Sequence, residues 1–383
     1  MLGPLAGQYL GDMGADVIKI EPPEGDLTRV QGPRRSDKMS ALFVSCNRNK
    51  RSVVLDLKSP EDREALWAMV RQSDVLIHSI RTQAAEKIGL TYAALSAINP
   101  GLVYCHVKGF SDEGVYAGKP AYDDIIQALS GLAALQSAIG GAPRYVPSVV
   151  ADKLTGVHAA YAVVLGLYHK LATGRGQAIN VPMFETLASF NMIEHLWGGA
   201  FEPHEGVVGY PTIAQATRRP FQTADGYLAF LPHTDAHWQR FFAAIGRTDM
   251  MADPVFATFP ARQKNFDQVW GWVKRELLKR TRNDWVALLA DADVPCALVN
   301  SLDDLLVDPH LESIDFWTVH DHPTEGKLRL AASPIDMGDS PAAVRYLPPR
   351  LGEHTEAVLR EFGCADNHIR SILDRTREKT VNG

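Results

Sequence analysis

ADVIKIE (15–21), RSVVLDL (51–57), DVLIHS (74–79) and LVYCHVKGF (102–110) are four short β-rich runs in the first third of the chain, separated by segments of helical pattern. One of those segments, EDREALWAMVRQ (61–72), places Leu66, Met69 and Val70 on a single face, behind Ser59 as cap and Pro60 in the first turn. Strands alternating with helices predict a parallel sheet covered on both faces. The fold class is therefore α/β, with a doubly wound large domain that presents ligands at the carboxyl ends of its strands.

Outward from these runs, the chain opens on a helical pattern at 3–13 that leads straight into 15–21. A doubly wound domain commonly begins with a strand, so either this sheet starts differently or a first strand is missing. Beyond 110, residues 120–136 are helical in pattern and Asp152 opens a long apolar helix, DKLTGVHAAYAVVLGLYHKLA, that ends before Thr173-Gly174-Arg175-Gly176. A strand, QAINVPMFE (177–185), follows. Residues 198–220 are rich in Gly, Pro and His and predict an extended linker. A second, smaller α/β domain then begins with a hairpin at 221–232 around Asp225-Gly226, followed by helices at 234–245, 262–281 and 283–291. A strand at 327–332 and helices near 352–362 and 366–378 close the chain. The expected division is a large domain over 1–197, a linker at 198–220, a small domain over 221–320, and a return linker with the C-terminal part of the large domain over 321–383.

Composition narrows the function classes. At 383 residues, 46% hydrophobic and 22% charged, the chain has an ordinary globular balance, and roughly one domain per 150 residues predicts two or three. A net charge of −6 gives no electrostatic case for nucleic acid or an anionic membrane as partner. Four cysteines, Cys46, Cys105, Cys296 and Cys364, lack CxxC spacing, which argues against zinc and against a disulfide framework. The N-terminus has no basic region of a secretory signal, and the longest apolar stretch, 157–172, contains His158 and His169. These features predict a cytoplasmic protein.

Common catalytic signatures are absent: there is no GxxxxGK[ST] loop, no GxGxxG after a strand, no GxSxG elbow and no HExxH helix. His320-Asp321-His322 is the one metal-like cluster, but adjacent residues on a strand face different ways, so no metal site is expected. Asp152, in the first turn of the long apolar helix, reads either as a helix cap held ionised by the dipole or as a nucleophile, since carboxylates form covalent acyl intermediates. Tyr122 and Asp123 begin another helix, where a cap and a packed ring are the default. Arg48, Lys50, Arg51 and Lys58 flank a strand, and Lys87 lies in the strand-like stretch 81–90; such charges are either solvated or, if they converge at the strand ends, phosphate ligands. Arg218 and Arg219 pose the same choice between linker solubility and recognition of a substrate carboxylate.

Six ordered segments resemble one family: GPLAGQYLGDMGADVIKIEPPEGD (3–26), NKRSVVLDLKSPE (49–61), KPAYDDIIQALSG (119–131), TGRGQAINVPMFE (173–185), DVPCALVNSLDDLLVDPHL (293–311) and LGEHTEAVL (351–359). Together they look like a class III CoA-transferase, a family that includes formyl-CoA transferase, carnitine CoA-transferase and the α-methylacyl-CoA racemases. The resemblance implies an interlocked homodimer, each chain with a Rossmann-like large domain completed by its C-terminus and a small domain on long linkers. It implies that Asp152, at the end of PSVVAD, is the catalytic carboxylate. It places coenzyme A along Leu55, Lys58, Ser79, Ile80, Lys87 and Ile88; Tyr122 is the residue on the acid-substrate side, and Arg218 and Arg219 are separate candidates for gripping a second carboxylate. Members often carry Asn-Phe where this chain has Ser79-Ile80, and Pro22 replaces a usual basic residue. They also extend further ahead of the first matched segment, which supplies the missing strand.

At the position of Tyr122 the racemases carry His. A tyrosine titrates near 10 and is a poor two-way proton shuttle, which favours CoA exchange over racemisation. The expected function is reversible transfer of CoA between an acyl-CoA and a small, possibly dicarboxylic, acid, with acyl-CoA as substrate and no permanently bound cofactor. The alternatives are a 2-methylacyl-CoA racemase or a CoA-binding dimer without catalysis.

Overall fold

The computed structural model describes residues 1–137, 141–211, 213 and 219–381, the last six as backbone only. They form two compact units, one built from 1–137, 142–208 and 313–383, the other centred on Gly209–Glu312.

The first unit runs α1 (Leu2–Asp12), β1 (Val17–Glu21), α2 (Ala41–Cys46), β2 (Lys50–Val54), α3 (Pro60–Val70), β3 (Val75–His78), α4 (Thr82–Lys87), α5 (Tyr92–Ile98) and β4 (Val103–Lys108). It continues through α6 (Asp123–Leu129), α7 (Leu132–Ser137), α8 (Val150–Thr173), β5 (Ala178–Pro182) and α9 (Met183–His195). Local chemistry sets many of these ends. Ser59 caps α3 by accepting from the Asp62 N–H, with Pro60 in the first turn. Gly131, at a φ of 83°, divides the predicted helix at 120–136 into α6 and α7. The stretch 81–90, read as strand-like from sequence, is instead α4 and its C-cap. Pro182 ends β5 and opens α9, so the second half of QAINVPMFE is helical.

The parallel strands form two sheets. β1 pairs with β2, and β3–β4–β5 form a three-stranded parallel sheet. Among the described residues no backbone pairing joins them, so the single doubly wound sheet expected from sequence is present as two. Both are packed between common layers. Ile18 and Ile20 of β1 and Leu76 of β3 pack against one core, which contains Leu66 and Met69 of α3 and Leu95 of α5. On the other face Cys105 and Val107 of β4 meet Ala6 of α1 and Ala159 and Val163 of α8.

The second unit holds β6 (Phe221–Gln222), β7 (Tyr227–Phe230), α10 (Asp235–Ala244), α11 (Phe259–Lys264), α12 (Phe266–Leu277), α13 (Arg282–Asp291) and β8 (Cys296–Leu298). Its antiparallel sheet has the order β6–β7–β8 and covers an aromatic core of Phe230, Trp238, Phe241, Phe242 and Trp285. The turn of the 221–232 hairpin is held by Asp225, which accepts from Thr223 Oγ1 at 3.1 Å and from the Arg282 N–H at 2.8 Å.

After α14 (Pro309–Ser313), the hairpin of β9 (Trp317–His322) and β10 (Gly326–Ala331) belongs to the first unit, followed by α15 (Thr355–Glu361) and α16 (Asp366–Val381). Residues 317–320 therefore lie outside the second unit, although the sequence reading extended the small domain to 320. The reason is pairing: β9 forms its ladder with β10, and the Ala331 carbonyl accepts from Arg48 at 2.7 Å. α15 and α16 complete the core over β2 through Val358, Leu359, Ile369 and Ile372.

Candidate active site

α8 is 24 residues long, about 36 Å at 1.5 Å per residue. Two bare positions let it lie close to its neighbours. A Cβ on Gly166 would stand 2.7 Å from Val103 and 2.8 Å from Ile179, and one on Gly156 would stand 2.9 Å from the Leu2 carbonyl of α1. The C-terminal end of α8 lies at the start of the strands, where Lys170 bonds Asp74 at 2.7 Å and the Gly176 N–H reaches the Pro100 carbonyl at 2.9 Å. Its N-terminus consequently lies at the carboxyl ends, where Ala151 packs with Phe110, the second residue after β4. That is the end of a parallel sheet at which ligands gather.

Asp152 is the third residue of α8 and is not its cap. The N-cap is Val149, which has no side chain able to accept. The backbone N–H of Asp152 is accepted instead by Asp123 Oδ1 of α6, at 3.0 Å. The Asp152 carboxylate is thereby free of a capping role. It is 18% exposed, and among the described residues its close charged neighbour is the Met1 ammonium, 3.7 Å from Oδ2. Burial pushes its pKa above the ordinary value; the Met1 ammonium opposes that shift and the nearby Asp123 carboxylate adds to it. The dipole does not keep this group at low pKa, contrary to the sequence expectation. A poorly hydrated carboxylate with few donors is a stronger base and nucleophile than a solvated one.

Tyr122 is the N-cap residue of α6, next to Asp123, and its ring is 71% exposed. The packed-ring reading fails at that position. The ring faces solvent one residue from the side chain that holds the Asp152 N–H. Sequence reasoning read Asp123 only as the start of a helix and passed over Gln127; both are buried and hydrogen-bonded to each other. The signal was available in part: Asp and Gln at i and i+4 share a helix face.

The proposed coenzyme positions are divided between the carboxyl ends of β2 and β3, which carry Leu55, Lys58, Ser79 and Ile80, and the C-terminus of α4, which carries Lys87 and Ile88. Leu55 is 1% exposed and belongs to the core, so its side chain is closed to a ligand. Lys58 and Lys87 are exposed, Ser79 is exposed, and Ile80 and Ile88 are half-buried against the core. The basic group read from sequence does not converge there. Arg48 makes a bidentate pair with Asp12 at 2.8 and 2.7 Å, and Arg51 binds Asp16 and Glu361. Lys50 is buried, with its ammonium on the Pro4 and Cys46 carbonyls and Asn47 Oδ1. Of that group only Lys58 remains open to solvent.

The turn after β3 is held by two histidines that the sequence reading did not single out. The Ile80 N–H donates to His78 Nδ1 at 3.2 Å, and His106 Nε2 lies 2.8 Å from the Ile80 carbonyl. His78 Nε2 lies 2.6 Å from the Tyr104 hydroxyl, which donates to the Leu90 carbonyl at 2.9 Å. These partners fix neutral tautomers: His78 carries its proton on Nε2 and donates to Tyr104, and His106 donates from Nε2. The rings stack at 4.2 Å, and burial drives the His78 pKa down to about 3.

Arg218 lies outside the described residues. Arg219, in the second unit, lines a concavity of about 500 Å³ with Phe221, Tyr227, Lys274 and Leu278. Lys274 is a second cation there that sequence reasoning did not identify. His320 and His322 bond Thr318 and the Pro348 carbonyl, and among the described residues no cluster of three or more His, Cys, Asp or Glu is placed to hold a metal.

A helix-borne carboxylate at the carboxyl ends of a parallel sheet defines an α/β protein whose chemistry lies at that edge. The sequence model of CoA-transferase family III matches residues 1–355, and the chain belongs to that family. It is 33% identical to a succinate–glutarate CoA-transferase of Agrobacterium fabrum, over 94% of this chain and 92% of that protein. It is 32% identical to a succinyl-CoA:mesaconate CoA-transferase of Haloarcula hispanica, over 95% and 93%. With a formyl-CoA:oxalate CoA-transferase of Rhodopseudomonas palustris the identity is 30%, over 97% and 93%. Among solved structures, a CaiB/BaiF family protein from Brucella suis superposes with a TM-score of 0.82 at 30% identity, covering 94% of this chain and 96% of that one. The chain is thus a CoA-transferase with a mixed α/β fold and parallel sheets.

Proposed function

We propose that the protein moves CoA between an acyl-CoA and a small dicarboxylic acid through covalent intermediates on Asp152. The observation that carries this reading is the state of that carboxylate: partly buried, raised in basicity, relieved of capping by Asp123, and set at the carboxyl ends of the strands. Asp152 attacks the thioester carbonyl and the C–S bond breaks, giving an acyl-aspartyl anhydride and CoA thiolate. The thiolate attacks the aspartyl carbonyl, releasing the donor acid and leaving an aspartyl-CoA thioester. The acceptor carboxylate attacks that thioester, and the thiolate finally takes the acceptor's acyl group, regenerating Asp152. Charge is conserved throughout, and no proton transfer is required.

CoA would lie along Leu55, Lys58, Ser79, Ile80, Lys87 and Ile88, with the cations at 58 and 87 toward phosphate. Tyr122 is read as facing the acid substrate; Arg219 and Lys274 form a cationic concavity within the second unit that suits a carboxylate. The dicarboxylic class rests on the relatives that act on succinate, glutarate and mesaconate. The division into large and small domains joined by linkers, and the cytoplasmic setting, belong to the same reading; four free cysteines suit a reducing compartment.

The functional unit in this reading is the interlocked homodimer. α8 supports it, because Val157, Tyr161, Val164, Tyr168 and Leu171 form an exposed stripe at alternating spacings of four and three, in addition to the face buried against the sheet. By length and composition this helix could also cross a membrane. A second protein copy is the better cover, since its other face packs on β4, β5 and α1.

The test is to incubate the enzyme with succinyl-CoA and hydroxylamine and map the modified peptide by mass spectrometry. A hydroxamate on Asp152, with CoA thiol released, supports the covalent route. An unmodified Asp152 in an enzyme that places solvent deuterium at the α-carbon of a 2-methylacyl-CoA identifies a racemase instead.

A further inference from the structure

Among the described residues no side-chain donor orients the Asp152 carboxylate, the Met1 ammonium at 3.7 Å being its charged neighbour, so its position is set chiefly through the backbone of the first turn of α8. We propose that Asp123 and Gln127 act together as the positioning device for Asp152, reading the ends of the 146–152 segment and holding them at one distance. The inference rests on Asp152 being the nucleophile.

The hydrogen bonds allow one assignment. The Val146 N–H is a donor only, so the Gln127 oxygen must face it; Oε1 accepts at 2.9 Å. Gln127 Nε2 is then turned toward Asp123 Oδ2, at 2.7 Å, and toward the Ser148 carbonyl, at 3.2 Å. Asp123 Oδ1 accepts the Asp152 N–H at 3.0 Å. Asp123 must therefore accept on both oxygens, which a carboxylate does and an amide cannot. Gln127 is fully buried and Asp123 8% exposed, so water does not substitute readily for a lost partner. The chain Val146–Gln127–Asp123–Asp152 spans the whole segment that carries the candidate nucleophile, and it is anchored on one face of α6.

This predicts that Asp123→Asn, though isosteric, is not conservative. Its amide places an NH2 either against the Asp152 N–H or against the Gln127 NH2. The pair Asp123→Asn with Gln127→Glu restores complementarity. The second substitution replaces the amide at 127 by a carboxylate that accepts from both the new amide at 123 and the Val146 N–H, losing the two longer contacts to the Ser148 and Val146 carbonyls, at 3.2 and 3.4 Å. Enzyme variants are assayed with succinyl-CoA and glutarate, together with thermal melts. In Asp123→Asn, kcat should fall about 100-fold, the scale of an ångström-sized misplacement of a reacting group, with KM for succinyl-CoA nearly unchanged. The double variant should recover at least about tenfold of that loss.

The inference is overturned if Asp123→Asn retains parental kcat, if its loss appears in KM, or if the double variant folds and recovers nothing. Should Asp123→Asn fail to fold, a folded double variant decides alone: kcat within about tenfold of the parent supports the device, and inactivity overturns it. Failure of the underlying reading is recognised separately. An active Asp152→Ala variant removes the nucleophile assignment, whereas an inactive one beside an unaffected Asp123→Asn removes only the positioning device.

Discussion

Replacing Asp152 by Asn should remove activity and raise stability, and the opposed signs make the experiment diagnostic. Activity is lost because an amide cannot form the anhydride; deleting the nucleophile of a covalent route costs about 10³-fold or more. Stability follows from linkage. The folded pKa of Asp152 lies above its ordinary value, chiefly through burial, so the native state holds more protons than the unfolded one as pH rises through that interval. Stability contributed by this group is therefore full below the ordinary carboxylate pKa of about 3.9 and is lost as pH rises toward the folded value. At neutral pH the ionised form carries the whole cost, about 1.4 kcal/mol for each unit of elevation. That elevation is already net of the attraction to the Met1 ammonium, 3.7 Å away, so the balance favours the Asn variant. For 383 residues at about 2.1 cal/mol/K each, one kcal/mol moves Tm by about 1 °C. Differential scanning fluorimetry should show Asp152→Asn melting above the parent at pH 7.5, with the difference vanishing toward pH 4. A variant that melts lower at pH 7.5, or that still exchanges CoA at more than about 1% of the parental rate, refutes the reasoning.

Gly156→Ala should destabilise the protein by about 1–3 kcal/mol, because the new Cβ meets the Leu2 carbonyl at 2.9 Å and α1 must shift; chemical denaturation measures it, with kcat falling and an unchanged midpoint counting against tight α1–α8 packing. His78→Phe removes the acceptor for the Ile80 N–H and the donor to Tyr104, so KM for succinyl-CoA should rise roughly fivefold, the worth of one hydrogen bond of about 1 kcal/mol, with little change in kcat. In the parent, His78 is held neutral down to about 3, so its contribution to stability is present above the ordinary imidazole value and declines as pH falls from there; the same variant should flatten that acid decline in urea midpoints. Tyr168→Glu, on the exposed stripe of α8, should leave a monomer where the parent is the proposed dimer in light scattering at micromolar concentration, and an unaltered mass would remove α8 from the interface.

The parts of the fold that depend on chain-local chemistry were readable. Alternation located the parallel strands, Ser59-Pro60 started α3, and Asp225-Gly226 marked the hairpin between β6 and β7. What escaped depended on partners distant in sequence. Stretch 81–90 has apolar residues enough for a strand, yet it is α4, with Ala85, Ile88 and Leu90 turned into the core beneath β3. The basic residues near β2 suggested a phosphate site, but Arg48 and Arg51 meet Asp12, Asp16 and Glu361, and the last lies 310 positions away. The same limit hid the cap of α8: Val149 offers nothing to its first turn, and the acceptor arrives from Asp123 on another helix. Composition can say that a helix begins near Asp152, but the carboxylate's freedom from capping becomes visible only when α6 is placed beside it.

α8 is fixed at three levels, each removing a different freedom. Gly166 sets its height over β4 and β5, Gly156 sets its approach to α1, and Asp123 sets the first turn. None of these constrains the opposite face, which carries the apolar stripe from Val157 to Leu171. In the homodimer we propose, that face is covered by a second copy, so the helix that bears the nucleophile is also the one that association would rigidify. Dissociation should then lower kcat before it lowers affinity for acyl-CoA, because the coenzyme positions proposed at 58, 79 and 87 sit on other elements. The Tyr168→Glu monomer therefore tests more than assembly: retained binding of CoA with lost turnover is the expected pattern, and equal loss of both would mean that the coenzyme site itself needs the partner.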